Sequence, residues 1–243
     1  MSVDFKMKSA TTEQHTITSV DAYLQAIKKI PKECTALYRG HAREDWKLQP
    51  SVGRMKGYSV EKEKNIFLKF KMRYHLYTND MPSTDIDTLF LAQHYGLPTR
   101  LLDWTDNPLI GLWFACQEEQ EFDGCVYTIK AEKDHMQETD RLNFDIFAEK
   151  KVNSTENQEK QAGEKNHSLI IPDYTNRRFL NQKGMFLWFK YPDISISKEQ
   201  LKPSFIISKE HKKDILKELS NIGINEAFVY PDLEHLCESI KNE

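Results

Sequence analysis

The spacing of apolar residues changes halfway along the chain, and that change limits what the chain can fold into. In the first half, apolar residues recur every three or four positions, the signature of helices that bury one stripe. Val20, Tyr23, Leu24 and Ile27 follow a capping Thr18 or Ser19 and stop before Pro31. Ile66, Phe67, Phe70, Tyr74 and Tyr77 predict a second buried stripe on a helix from Ser59 to about Thr78. Ile86, Leu89 and Phe90 mark a third helix that stops at Gly96. Leu109, Leu112, Trp113 and Cys116 mark a fourth, which opens at Pro108 behind a cap at Asn107 or Asp106. One early run, "TALYRG", reads as a strand closed by Gly40. From Gly124 onward, β-branched and aromatic runs take over. "GCVYTIK", "SLIIP" near Leu169, "GMFLWFK", "SFIIS" near Phe205 and "EAFVY" near Phe228 predict strands. Two helices, over Lys209–Asn221 and Pro231–Lys241, lie among them. Helices first and strands later predict an α+β fold, N-terminal helices packed on a largely antiparallel sheet.

Residues 1–35 read as a helical lead-in and 36–243 as one α+β domain. Between about 131 and 167 the chain is polar and charged, which predicts a mobile insertion peripheral to the core. The 243 residues are enough for one sizeable core. With a net charge of −3 and acids interspersed with bases, no basic face announces a nucleic-acid binder. No apolar run reaches membrane-spanning length, so no membrane partner is expected. The four cysteines are scattered without a CxxC pair, which predicts reduced thiols and a cytoplasmic setting. No His/Cys spacing suggests a metal site, and no nucleophile elbow, phosphate loop or dinucleotide fingerprint is present.

The stretch "LAQHYGLPTRLLDWTDNPLIGLWFACQ" sets polar residues between two apolar helices. Gln93 and His94 follow Leu89 and Phe90 by four, so both continue a buried stripe. A buried polar group needs a partner. The pair therefore either pins the next loop or lines a pocket. Arg100 and Asp103 lie three apart in that loop and are expected to form an internal ion pair. Thr105 stands just before a helix start, where a hydroxyl beside free N–H groups can face an anion or a sugar. Arg39 ends a strand and precedes Gly40, where a ligand or another backbone can come close. Its planar fork suits phosphate or ribose oxygens, although strand-end arginines are also often solvated. In "RRFLNQKGMF", Arg178 precedes Gln182 by four at the start of a strand.

Taken together, these pieces resemble the FRG domain family. The aromatic-Arg-Gly triplet is Tyr38-Arg39-Gly40, followed by Trp46, Leu48, Pro50 and Arg54. "QHYGLPTRLLDWTDNPLIGLWFA" is similar to the family's central signature, "RFLNQKGMF" to its Arg-xxx-Gln-x-Gly-x-Phe element and "FVYPDLEHLCESI" to its closing segment. A second, weaker resemblance is to the ADP-ribosyltransferases, which implies a split sheet and NAD as ligand. On that resemblance Arg39-Gly40 is the strand-end Arg-Gly, Thr105 lies near the hydroxyl position, and Gln182 stands where the family has a catalytic glutamate. Arg39, Thr105 and Gln182 are then the catalytic positions. Arg39, Gly40, His94, Tyr95 and Thr105 would contact the nucleotide, with Gln93, Arg100, Asp103 and Arg178 in support. An amide supplies no negative charge to an oxocarbenium-like state. Either a carboxylate comes from Asp103, Glu118 or Glu119, or the nucleotide is bound without turnover. The implied function is an ADP-ribosyltransferase-like domain, or an NAD glycohydrolase, that binds NAD or a related nucleotide and passes ADP-ribose to a protein or nucleic-acid acceptor. The alternative is a non-catalytic nucleotide-binding or sensing module of a bacterial or phage defence system.

Overall fold

The computed structural model describes residues 7–11, 13–31, 35–79, 81–131, 145–147, 166–172 and 181–232, with 235, 237, 240 and 241. In chain order the described elements begin with β1 (His15–Ile17), α1 (Val20–Ile27), β2 (Thr35–His41) and α2 (Val60–Lys71). Next come α3 (Asp85–His94), β3 (Leu101–Thr105), α4 (Pro108–Cys116), β4 (Gly124–Ala131) and β5 (His167–Ile170). They end with β6 (Gly184–Phe189), β7 (Phe205–Ile207), α5 (Lys209–Asn221) and α6 (Glu226–Val229). The strands form one sheet in the order β1-β7-β4-β2-β3-β6-β5. Every neighbouring pair is antiparallel except β1 with β7. The fold is α+β with a largely antiparallel sheet, as the change of period implies.

Side-chain oxygens explain the helix starts. Ser19, Ser59, Thr84 and Asn107 each accept a backbone N–H from the first turn of α1, α2, α3 and α4. Gly96 and Gly223 follow α3 and α5 with φ of 80° and 87°, the left-handed conformation that ends a helix cheaply only at glycine.

Apolar clusters cover both faces. α1, α4 and α5 bury Tyr23, Ile110, Leu112, Ile215 and Leu219 against Tyr38, Val126 and Phe205. Leu37, Leu102, Trp104, Tyr127, Ile129 and Leu187 form a second cluster, and α2 and α3 bring Phe67, Ile86, Leu89 and Phe90 to Leu101, Phe186 and Trp188. α4 lies so close to the sheet that a Cβ on Gly40 would sit 2.1 Å from the Gly111 carbonyl oxygen. The close approach expected at Gly40 is therefore that of another backbone. The segment read as a lead-in is part of the same body: β1 pairs with β7, and α1 shares a core cluster with α4 and α5.

Several expectations need correction. The polar stretch before α4 is a strand, β3, because Leu101, Leu102 and Trp104 bury in two clusters while only Asp103 faces out. The "EAFVY" run is a four-residue helix, capped by Asn225 accepting the N–H of Phe228 at 3.0 Å, and not a strand. α2 stops at Lys71, and of the apolar stripe assigned to it only Phe67 is buried. The 131–167 insertion lies mostly outside the described residues, but Ile146 in its middle packs into the core and its carbonyl accepts the Trp188 indole N–H at 3.2 Å. Most of the helix expected over Pro231–Lys241 also lies outside them. No helix among the described residues is long and apolar enough to cross a membrane.

Candidate functional site

The centre of the sheet is where it is least joined. β2 pairs with β4 over seven residues and β3 with β6 over five, yet β2 and β3 meet only at Tyr38 and Thr105. Past that point the strands diverge, and a cavity of about 320 Å³ opens beside them.

Arg39 spans the gap. Its Nη1 donates to the Asp103 carbonyl oxygen at 2.6 Å and lies 3.7 Å from the Asp103 carboxylate, while Nε donates to His41 Nε2 at 3.0 Å. Its Nη2 has no partner among the described residues, and the side chain keeps 19% of its exposure. Burial lowers its pKa first; the Asp103 charge opposes this and Arg54 adds to it. The guanidinium remains charged throughout. Because His41 Nε2 accepts a hydrogen bond from Arg39 Nε–H, the ring's own proton sits on Nδ1. Burial first, then the charges of Arg39 and Arg54, hold its pKa well below the ordinary imidazole value, so His41 is neutral at pH 7.

Arg54 reaches the same cavity from the 3-10 turn over Val52–Arg54. That turn is pinned: Val52 N–H donates to the Thr99 carbonyl at 3.2 Å, and a Cβ on Gly53 would meet the Pro192 carbonyl at 1.7 Å. The Arg54 side chain is exposed and makes no hydrogen bond or ion pair among the described residues. Lys47 adds a third cation, Asp103 and Glu118 supply carboxylates, and Trp46, Phe114 and Tyr230 supply aromatic walls.

Of the residues singled out in the sequence, Arg39, Gly40, Gln93, Asp103, Thr105 and Gln182 line this one cavity. Two of them are already committed. The Thr105 hydroxyl donates to the Gln182 carbonyl at 2.5 Å and accepts the Asn107 N–H at 3.0 Å. The Gln182 amide donates to the Val229 carbonyl at 3.1 Å. Gln93 serves the site through Asp103: its Nε2 donates to Asp103 Oδ1 at 2.8 Å while its Oε1 accepts the Thr99 hydroxyl.

His94 and Tyr95 are not in the lining, because each helical residue turns the side chain by about 100°. Tyr95 is 62% exposed and lines a separate groove. The ion pair expected between Arg100 and Asp103 does not form. Residues three apart on extended chain face opposite sides of a sheet. Arg100 is fully buried and binds both Glu63 carboxylate oxygens, at 2.8 and 2.6 Å. Arg178 lies outside the described residues. Sequence reasoning passed over His41, although its place two residues after Arg39 on one strand face was a legible signal. As a ligand candidate Arg54 was also missed, and so were Trp46 and Tyr230, which come from segments that only the fold unites. The buried thiols are no candidates for a nucleophile: burial pushes Cys116 and Cys125 up to about 12. No His/Cys/Asp/Glu group able to hold a metal ion occurs among the described residues.

Residues 35–124 match the FRG domain model. No curated protein and no solved structure matches the chain. The FRG segment runs from β2 to the start of β4. It contributes Arg39, His41, Arg54, Gln93, Asp103, Thr105, Phe114 and Glu118, whereas Gln182 and Tyr230 close the cavity from beyond it.

Proposed function

We propose that the cavity binds a diphosphate nucleotide of the NAD class. The observation that carries the reading is the convergence of Arg39 and Arg54 on one cavity with aromatic walls. Planar guanidiniums with free donors match phosphate oxygens two at a time, and rings such as Trp46 and Tyr230 take the flat face of a base or a nicotinamide. A volume of about 320 Å³ lies within the range of small-molecule sites.

The chemistry that follows is ADP-ribosyl transfer. The bond between the ribose C1′ and the nicotinamide nitrogen breaks, nicotinamide leaves with the electron pair, and an acceptor attacks C1′ and gives up its proton. With water as acceptor the product is free ADP-ribose. Positive charge develops on the ribose and calls for a carboxylate. Asp103 and Glu118 are the carboxylates in the lining; Glu119 is 3.8 Å from Arg43 and is not part of it. A second reading, a module that senses a nucleotide in a defence system without turning it over, is favoured by one observation. The Thr105 hydroxyl and the Gln182 amide are both spent on protein carbonyls.

Mass spectrometry of the protein incubated with NAD and a cell lysate, beside calorimetric titration of NAD, tests both. We expect NAD to bind and Arg54→Ala to weaken it. Nicotinamide or ADP-ribose adducts then assign transfer, and binding without either assigns sensing. A titration without heat or saturation for both NAD and ADP-ribose ends the nucleotide reading.

A further inference from the structure

The last turn of α3 serves two concave surfaces. Gln93 lines the cavity, and Tyr95, two residues on, lines a separate groove of about 480 Å³. Phe70, Tyr74 and Tyr77 from the end of α2 and the turn after it form much of its wall, with Lys69 and Arg73 beside them. The rings of Phe70 and Tyr74 stack with centroids 5.5 Å apart. Tyr77 is 86% exposed and Tyr95 62%, and Met72, Leu76 and Met81 are further exposed apolar residues of the same stretch of chain. An exposed groove walled by aromatic rings marks an interaction site, and Tyr, Met and Arg are the types enriched in protein interfaces.

Charge decides what fits. The groove's lining holds Lys69 and Arg73 and no carboxylate, and neither cation has an ion pair among the described residues. In a chain of net charge −3 this is a local excess of the opposite sign. A single-stranded nucleic acid asks for a row of cations along its backbone and a stacking face for each base. Two cations in a lining that also holds Ile66, Phe70 and Leu97 suit apolar side chains flanked by acids better.

We propose that this groove docks an acidic, amphipathic segment of a protein partner. Its apolar side chains enter between Phe70, Tyr74 and Tyr95, and its carboxylates meet Lys69 and Arg73. The charge match sets the sign of the partner, and the aromatic floor supplies the contact area.

Peptide phage display against the intact chain, followed by fluorescence-anisotropy titration of the selected peptides, tests this. Selected peptides are expected to mix Asp or Glu with Leu, Ile or Phe. Joint substitution Lys69→Glu and Arg73→Glu is expected to weaken them at least tenfold, and so is joint substitution Tyr77→Ala and Tyr95→Ala, with melting temperatures unchanged. Selection of basic or neutral peptides, or of peptides insensitive to both pairs of substitutions, would overturn the proposal. So would oligothymidine that binds the same residues, or a wild-type dimer by light scattering that Tyr77→Glu dissociates.

Discussion

Arg39 and Arg100 lie in the same FRG-matched segment, one in β2 and the other just before β3, and face opposite fates. Arg100 is fully enclosed. Glu63 takes two of its nitrogens, the carbonyls of Phe189 and Lys190 accept Nη1 at 3.4 and 3.3 Å, and the rings of Phe147 and Trp188 lie 5.2 and 5.7 Å from its guanidinium carbon. All three of its nitrogens are engaged and none reaches the surface, where a ligand would have to approach. Arg39 is tethered through Nε and Nη1, has no partner for Nη2 among the described residues, and lines a cavity that a second arginine also lines. Burial alone does not mark a site; spare donors in a partly open place do. The same distinction sorts the carboxylates, since Glu63 is spent on Arg100 and Tyr58 while Asp103 is exposed at the cavity.

The contrast is open to attack at several points. Arg100→Ala leaves the Glu63 charge buried without its partner, so it should cost about 3–5 kcal/mol in urea denaturation. A variant as stable as wild type would erase the structural half of the comparison. His167 shows what happens to a buried basic group with no carboxylate beside it among the described residues: burial lowers its pKa to about 4, where an arginine would have kept its charge. The unfolded chain binds that proton near pH 6.5 and the native one does not. Stability should therefore fall as pH drops from 6.5 toward 4, by roughly 2–3 kcal/mol over the window. Denaturation midpoints at several pH values check this, and His167→Gln should flatten the slope; an unchanged slope would contradict the assignment. Asp103→Ala should cost less than about 1 kcal/mol, because its carboxylate is 61% exposed and its contacts with Arg39 and Gln93 are screened. A loss several times larger would put Asp103 in the same class as Glu63.

Much of this was legible in the chain, and the failures have physical reasons. Helix caps at Ser19, Ser59 and Asn107, and the stops at Gly96 and Gly223, follow from local chemistry and were readable. β3 was hidden because Arg100 precedes it and Asp103 and Thr105 interrupt its apolar residues, and partners that satisfy such groups lie elsewhere: Glu63 is 37 positions from Arg100, Gln182 77 from Thr105. β1 is three residues long and is defined by β7, far off in sequence, not by its own pattern. At the site, Arg39, Asp103 and Gln93 could be picked out by their odd placement among apolar neighbours. Whether the Thr105 hydroxyl was free could not, since that depends on a carbonyl in another segment.

The claim that Arg39 is a ligand-gripping residue and not a brace is tested most directly by calorimetric titration of ADP-ribose and NAD into wild type, Arg39→Lys and Arg39→Ala, with thermal melts alongside. The account predicts that Arg39→Ala weakens binding by about 1.5–3 kcal/mol and Arg39→Lys by less, while both melt close to wild type. Wild-type affinity in a stably folded Arg39→Ala protein would contradict it.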